Sequence, residues 1–513
     1  MTGDLGEPQV LIVGAGPTGL VLALWLTSQG IRVRIVDKTL QPGTTSRALG
    51  IQARTLELYR QLDLADAVVA RGHKDPAFNL WARGRHAARI PFDHVGADVT
   101  PFSFLMIFPQ DEHERLLIDR LEALGVAVER GTELIGFVQH PDHVVATLRG
   151  PEGEEESRVA YLTGCDGARS LVRHAIDATF EGGTYRQLFY VADVEASGPA
   201  IDGELHIDLD EADFLGVFPL AATGRARLIG TVRDERADRA EDLRFEDVSQ
   251  RAIEHLAIKV EKVNWFSTYH VHHRVTDRFR QGRAFLLGDA AHVHSPAGGQ
   301  GMNTGIGDAI NLAWKLAMVL NDRAPDALLD SYEAERLGFA RSLVKTTDRV
   351  FSFATGDGRI AKLVRTRIAP VLLPQLMAFQ GLREFAFKTV SQTRISYRDG
   401  PLAVGRAGNL GGGDRVPWME IGGVDNHDAL AAIAWQVQVY GEADEELSAW
   451  CHTRGIPLTE YTWTGLHGAS GIGRNAALLI RPDTYIAAMA DTGVAEVFDR
   501  YVAERGLLIA FGA

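Results

Sequence analysis

Asp289 sits at a break in pattern that could do chemistry. Gly282 to Asn303 reads GRAFLLGDAAHVHSPAGGQGMN. Residues 284–287 form an apolar run long enough for one buried strand, and Gly288-Asp289 ends it. His292 to Gly301 then holds one Pro and three Gly, the composition of a loop whose backbone closely approaches something else. Ile306, Ile310, Leu312, Ala313, Leu316 and Leu320 recur at helical spacing and predict a helix over 304–320. Bare N–H groups at a helix start favour negative charge. Asp289 can accept hydrogen bonds from ligand hydroxyls. Strand, acidic turn, Gly-rich loop and helix start together describe a seat for a polyol-phosphate with an anionic end.

A second seat stands at the front of the chain. Residues 10–13 are apolar and β-branched, and Gly14-Ala15-Gly16-Pro17-Thr18-Gly19 follows at once. A helix is predicted over 20–29 and a second strand over 31–36, ending at Asp37 and Lys38. This is the dinucleotide fingerprint in its required setting. Gly14 permits the tight turn, Gly16 lets a pyrophosphate approach, and Gly19 lets helix and strand pack closely. Asp37 lies about twenty residues on, where a carboxylate holds ribose hydroxyls. Thr18 and Lys38 complete this group of candidate contacts. The fingerprint alone does not separate FAD from NAD.

The longer stretch does. G-D-A-A-H-x-x-x-P-x-G-G-Q-G-M-N resembles the second FAD motif of the single-component flavoprotein aromatic hydroxylases, the class typified by para-hydroxybenzoate and phenol hydroxylases. The resemblance implies FAD contacts at Gly288, Asp289, Pro296, Gly299, Gly301, Met302 and Asn303. Ser46-Arg47-Ala48 matches the place where the family carries an arginine near the flavin and the incoming nicotinamide. Gln110-x-x-x-Glu114 matches the family's Q-x-x-x-E, which implies that Gln110 reaches the ribityl and phosphate region; Glu114 is expected to cap or pair on the helix surface. Cys165-Asp166-Gly167-x-x-Ser170-x-Val172-Arg173 resembles a third motif, which serves FAD and the nicotinamide alike and adds Asp166 to the contacts. The implied activity is a monooxygenase: NAD(P)H reduces FAD, O₂ adds at the flavin, and a flavin hydroperoxide delivers one oxygen to an aromatic ring. Arg47 and Pro296 are the implied flavin-environment positions. Baeyer–Villiger oxygen insertion and a non-catalytic FAD-binding sensor are the alternatives. No general base is singled out among Tyr185, Tyr190, His206, Asp208, Asp213, Tyr269 and His270.

The elements that must position these groups need more than one core. The chain has 513 residues, enough for two or three domains. With 46% hydrophobic and 23% charged residues it is ordinarily globular, and a net charge of −14 argues against nucleic-acid binding. Its two cysteines, Cys165 and Cys451, give neither metal spacing nor a disulfide framework, which fits a reducing cytoplasm. The N-terminus lacks a signal-peptide pattern and no apolar run of eighteen occurs, so no membrane role is expected. His270, His272 and His273 lack partners at ligand spacing, so no metal is expected.

A strand is predicted over 158–162. Five more are predicted over 188–195, 204–209, 214–219, 225–232 and 263–273, and they read as an antiparallel sheet that residues 76–104 join. By resemblance this sheet covers the flavin ring and receives the substrate. Phe214, Phe218 and Trp81 are expected to line an apolar site, and Arg83 and Arg85 with Arg47 are the cations that could attract an acid group; because pockets are mostly apolar, a neutral phenolic or polycyclic substrate is expected over a simple benzoate. Beyond the Gly-rich 397–414, strands over 431–440, 457–462, 477–480 and 485–489 alternate with helices over 445–454 and 494–504. Together with Arg481-Pro482-Asp483-x-Tyr485-x-Ala487 this resembles the thioredoxin-like domain of the phenol-hydroxylase branch, without Cys-x-x-Cys. Gly471-Ile472-Gly473-Arg474-Asn475-Ala476 mimics a dinucleotide fingerprint but precedes a strand, so it is rejected.

The expected architecture is therefore an α/β FAD-binding Rossmann-like domain (1–75, 105–180 and 275–395) interleaved with a β-sheet substrate domain (76–104 and 181–274). A thioredoxin-like C-terminal domain (396–513) follows. The expected partners are an aromatic small molecule, O₂ and NAD(P)H, with the chain a monomer or homodimer.

Overall fold

A computed structural model describes residues 6–43, 48–75, 77–82, 84–91, 95–209, 214–220, 224–232, 243–295, 299–355 and 364–509. Val10–Val13 lies inside a six-stranded sheet ordered Arg280–Gln281, Ala284–Leu286, Tyr161–Gly164, Val10–Val13, Val33–Asp37 and Val128–Arg130. The pairs are parallel except at the Arg280–Gln281 edge. All four residues of Val10–Val13 are buried, as an apolar run covered on both faces requires. The predicted strand over 158–162 is in fact two: Gly153–Val159 belongs to a separate antiparallel sheet, and Tyr161–Gly164 begins after Ala160.

Two helices start earlier than their apolar periodicity indicates. One runs Pro17–Ser28 and the other Gly301–Leu320. Pro17 presets the helical φ of a first turn. Two glycines let these helices and the turn at Gly288 meet closely: a Cβ on Gly305 would stand 2.3 Å from Thr18 Oγ1, and one on Gly288 2.7 Å from the same atom.

The second large sheet has eight strands in the order His292–Val293, Lys259–Thr276, Phe180–Ser197, Arg225–Val232, Phe214–Pro219, Leu205–Leu209, Ala77–Ala82 and Arg85–Pro91. Leu205–Leu209 and Ala77–Ala82 run parallel, so the sheet is not wholly antiparallel. The two longest strands outrun their predicted spans because register shifts break the alternation, among them one between Thr184 and Leu188. One face carries Leu188, Tyr190, Ala192 and Val194 into a core with Leu215, Val217 and Leu228. The other carries Phe218, Ile229, Trp265 and Tyr269.

The C-terminal sheet is ordered Leu458–Tyr461, Gln436–Tyr440, Ala476–Ile480 and Ile486–Ala490. Its first pair is parallel and the others antiparallel, with helix Glu445–Arg454 between the parallel strands and Val494–Glu504 closing the unit. That order is the expected thioredoxin-like arrangement. The predicted strand over 431–440 is shorter, since Asp428–Ala431 is a 3₁₀ turn. Cys451 is buried in Glu445–Arg454, and burial pushes its thiol up to about 11. Among the described residues, no helix is long and apolar enough to cross a membrane.

Candidate active site

One cavity of about 1130 Å³ connects the two large sheets. At one end it touches Gly16, Thr18, Gln110, Gly167 and Asp289; at the other, Phe218, Ile229, Ile207 and Trp265. Four sequence motifs far apart in the chain therefore meet at one space. Its volume exceeds the roughly 300–1,000 Å³ of a pocket for one ligand.

The fingerprint forms the first wall. Gly14 has φ +104°, and a Cβ there would meet the Cys165 carbonyl oxygen at 2.3 Å; a Cβ on Gly19 would meet that of Gly14 at 2.0 Å. A Cβ on Gly16 would meet nothing within 4 Å, so the backbone there is open to an approaching phosphate. Asp37 ends its strand with Oδ2 accepting from the Ala15 N–H at 2.8 Å, while Oδ1 accepts from the Thr39 N–H and hydroxyl. An ionised carboxylate has about four acceptor positions, so room is left for a ribose hydroxyl. Lys38 is exposed and stands outside the cavity lining.

Gln110 opens the helix Gln110–Ala123 and donates to Glu114 Oε1 at 2.7 Å. Glu114 is buried rather than on the helix surface, which corrects the sequence reading. Burial raises its pKa, against the opposing effects of the Gln110 hydrogen bond and Arg130. Gln110 thus faces the cavity, and Glu114 one turn on holds it from behind.

The second motif forms the opposite wall. Gly288 takes φ +55° and its N–H donates to Asp308 Oδ2 at 3.0 Å, which leaves Asp289 exposed at the cavity. Gly299, Gly301 and Met302 line the same space. The first intrahelical acceptor is the Gln300 carbonyl, taken by the Thr304 N–H, so the N–H groups of Gly301, Met302 and Asn303 precede the helical ladder. Asn303 points inward instead. Its Oδ1 accepts from the Gln52 N–H and the Thr55 hydroxyl, and its Nδ2 donates to the carbonyls of Gly50 and Gly299. It pins the Gly-rich loop to the segment that follows Ala48.

Behind the loop, Asp308 receives Arg336 Nε at 2.6 Å and lies 2.7 Å from His292 Nε2. Burial alone would raise the Asp308 pKa; the charges of Arg336 and His292 outweigh it and hold the carboxyl low. Arg336 also donates to the Thr304 carbonyl and to Tyr397. The loop is therefore braced by a buried ion network.

Asp166 caps the helix Leu171–Ala175, its Oδ2 accepting from the N–H groups of Leu171 and Val172, and it is Cys165, Gly167 and Ala168 that face the cavity. Arg47, Pro296, Arg83 and Asp213 lie outside the described residues. Phe218 lines the cavity, whereas Trp81 donates to His206 and Phe214 packs with Phe189 and Val271. Arg85 is exposed on an edge strand. Tyr269 and His270 reach the lining; Tyr185 donates to Asp348, and Asp208 is fully buried. His272 stands 2.7 Å from the Thr184 hydroxyl, and His273 packs on Tyr185.

Sequence reasoning missed His294, Gln52, Met377, Arg383 and Phe387 in the lining. His294 was inside the motif but at a position the motif leaves open. The last three come from helices Ala369–Ala378 and Gln380–Val390, whose sequence carries no mark of the cavity.

Comparison with known proteins agrees with this geometry. Residues 7–347 match the family model described as an FAD-binding domain. The chain is 37% identical over 432 residues to the 6-methylpretetramide 4-monooxygenase of Streptomyces rimosus, spanning 80% of this chain and 74% of that protein. It is 32% identical over 504 residues to a flavin-dependent monooxygenase of Mycobacteroides abscessus, spanning 94% and 97%. The solved structure of OxyS, the anhydrotetracycline hydroxylase from Streptomyces rimosus, aligns with a TM-score of 0.78 at 28% identity over 99% of this chain and 100% of that one. Aklavinone-11 hydroxylase, in a ternary complex with FAD and aklavinone, aligns with a TM-score of 0.79 at 26% identity over 98% and 99%.

Proposed function

The chain belongs to the single-component FAD-binding aromatic and polyketide hydroxylases and is an FAD-dependent monooxygenase, and from that premise we propose that it takes NAD(P)H and O₂ to hydroxylate a polycyclic phenolic substrate. The observation that carries the substrate class is the continuous cavity. FAD would fill the end lined by Gly16, Thr18 and Asp289, and the remaining end is walled by Phe218, Ile229, Ile207 and Trp265, an apolar surface that suits a fused-ring phenol. Relatives named for tetracycline-type and aklavinone substrates support the same reading.

The residues present fit FAD. Gly16 leaves the phosphate approach open, Asp37 at the end of its strand has acceptor positions left for ribose hydroxyls, Asp289 offers a carboxylate at the cavity, and Gly301 starts a helix beside it. Bound there, FAD supplies the redox and oxygen-transfer chemistry. The protein's share is positional. Unladdered N–H groups at the Gly301 helix start would favour negative charge on a ligand held there. The Asp308–Arg336 network holds that helix start against Gly288. The apolar wall keeps water from the reacting ring. We assign direct cofactor contact to Gly16, Thr18, Gln110, Asp289, Gly299, Gly301 and Met302, which line the cavity, and a shaping role behind it to Gly14, Gly19, Asp166, Gly288 and Asn303. Asp37 is assigned to the ribose beyond the lining, Lys38 has no contact with the cavity to support its assignment, and Arg47 and Pro296 are assigned to the flavin environment by resemblance.

We assign residues 1–75, 105–180 and 275–395 to the flavin unit, 76–104 and 181–274 to the substrate unit, and 396–513 to the C-terminal unit. The site of action is the cytoplasm. The deciding assay measures NAD(P)H consumption by the FAD-loaded protein with anhydrotetracycline, aklavinone and simple phenols, and product structure by NMR. Accelerated consumption with a hydroxylated polycyclic product is expected. Stimulation by simple phenols alone would overturn the substrate class, and ring-expanded product would overturn hydroxylation.

A further inference from the structure

His294 stands in the cavity wall between the motif's Asp289 and the helix start at Gly301. Its Nδ1 lies 2.8 Å from the Ser295 carbonyl oxygen. A carbonyl only accepts, so Nδ1 carries the proton and Nε2 of the neutral ring is a bare lone pair. Nε2 is covered from solvent and has no hydrogen-bond donor among the described residues. The ring lies alongside the helix start: a Cβ on Gly301 would stand 3.8 Å from both Nε2 and Cε1. Protonation at Nε2 would place a cation beside the positive end of that helix. Burial, aided by His292, lowers the His294 pKa to about 4, against the opposing Ser295 hydrogen bond, so the ring is neutral at physiological pH.

A buried acceptor with no donor is destabilising and rare in a native fold, and the missing partner is then a water or a ligand. The cavity wall is where a ligand would supply it. We propose that His294 Nε2 accepts a hydrogen bond from an acidic donor on a bound ligand, the class that includes a phenolic O–H and the imide N–H of a flavin. This rests on reading the cavity as the flavin and substrate site. A neutral imidazole at this point selects ligands that bring a proton and disfavours those that bring a lone pair or an ether in its place.

The experiment pairs ligand and side-chain deletions. Wild type, His294→Leu (similar bulk, no acceptor) and His294→Gln (an amide oxygen to replace Nε2) are titrated in two arms. In the first, apoprotein takes up FAD or 3-methyl-FAD, followed by flavin fluorescence. In the second, FAD-loaded protein takes up 2-hydroxyanthraquinone or its methyl ether, followed by flavin absorbance. Wild type and His294→Gln should prefer the donor-bearing ligand in one arm, and His294→Leu should lose about tenfold or more of that preference, the coupling expected of a direct contact. Loss in the first arm assigns the donor to the flavin, and loss in the second to the substrate. An unchanged preference in both arms overturns the assignment of His294. If the anthraquinones do not bind, the FAD arm alone decides. If wild type binds no FAD at all, it is the functional reading that fails. Should His294→Leu not fold, the nitrogen-15 resonance of Nε2 in wild type is followed with and without each ligand; an unshifted resonance overturns the proposal.

Discussion

Arg481 donates from Nη1 to Glu335 Oε1 at 2.5 Å and from Nη2 to Glu335 Oε2 at 3.1 Å, with both side chains fully buried. The two residues belong to different units of the fold. Glu335 lies on the helix Asp330–Thr355 beside the Gly-rich loop, and Arg481 follows the C-terminal strand Ala476–Ile480. Asp483 takes two more bonds from the same guanidinium, and Lys315 and Asn311 reach Glu335 from the Gly301–Leu320 helix. A second clamp joins Glu57 to Arg415 and Arg54. The C-terminal domain is thus fixed to the helices that position the cavity.

Arg481→Met should destabilise the protein by about 3–5 kcal/mol, because Asp483 and Glu335 would keep their burial and lose this guanidinium, with Lys315 left to Glu335. The apolar stem still fills the space, so the loss reads out the charge. Differential scanning calorimetry of the FAD-loaded protein gives the comparison. A shift in Tm within error of wild type would show that the network contributes nothing to stability.

The same network predicts acid sensitivity. Burial alone would raise the Glu335 pKa; Arg481 and Lys315 outweigh it and hold the carboxyl at about 2. Glu57 is held at about 2 by Arg415 and Arg54 against the same burial effect. A carboxyl whose folded pKa is depressed stabilises the fold fully above its unfolded pKa, near 4.5, and loses that stabilisation as pH falls towards 2. Urea unfolding at steps from pH 6 to 2 should show stability falling through this window. Glu335→Gln should start less stable and fall less steeply. Parallel curves for the two proteins would refute the coupling.

Gly305→Ala should be destabilising by about 1–3 kcal/mol, since its Cβ would stand 2.3 Å from Thr18 Oγ1. Thr18→Ala removes that oxygen. In the double variant the cost of the alanine should shrink, although the Gly288 Cα at 3.1 Å remains in the way. Strictly additive stabilities in chemical denaturation would mean that the two helices do not meet through these residues.

What the sequence revealed follows the range of the forces involved. Gly14, Gly19 and Asp37 were legible because turn, close packing and strand end are consecutive in the chain and each has a residue type of its own. The helix starting at Gly301 was read three residues late, because glycine signals a loop unless the neighbour that requires it, here Thr18, is known. Glu335 and Arg336 stand in a run of charged residues whose spacing reports only a helix. Their partners, Arg481 and Asp308, are 146 and 28 residues away, and no periodicity reports a buried ion pair at such distances. Trp81 shows the converse. An aromatic on an alternating strand points to one face or the other, and a one-residue irregularity between Leu80 and Trp81 is enough to spoil the count. Arg383 and Phe387 reach the cavity from a helix, Gln380–Val390, whose sequence gives no sign of it.

Asp289 gives the most direct check on the cofactor seat. It is exposed at the cavity, while the neighbouring Gly288 N–H is held by Asp308 and the left-handed φ at Gly288 fixes the direction of the turn. Asp289→Ala deletes a charged acceptor without filling the space or disturbing that bond. Hydrogen bonds to a charged group contribute about 1.5–3 kcal/mol, so FAD affinity should fall by a factor on the order of ten to a hundred. Asp289→Asn keeps an acceptor but not the charge and should fall between the two. Apoprotein of each variant is titrated with FAD and followed by flavin fluorescence, with circular dichroism confirming that the fold is retained. Equal affinity in wild type and Asp289→Ala would remove this carboxylate from the cofactor site and leave Asp37 as the candidate polyol acceptor.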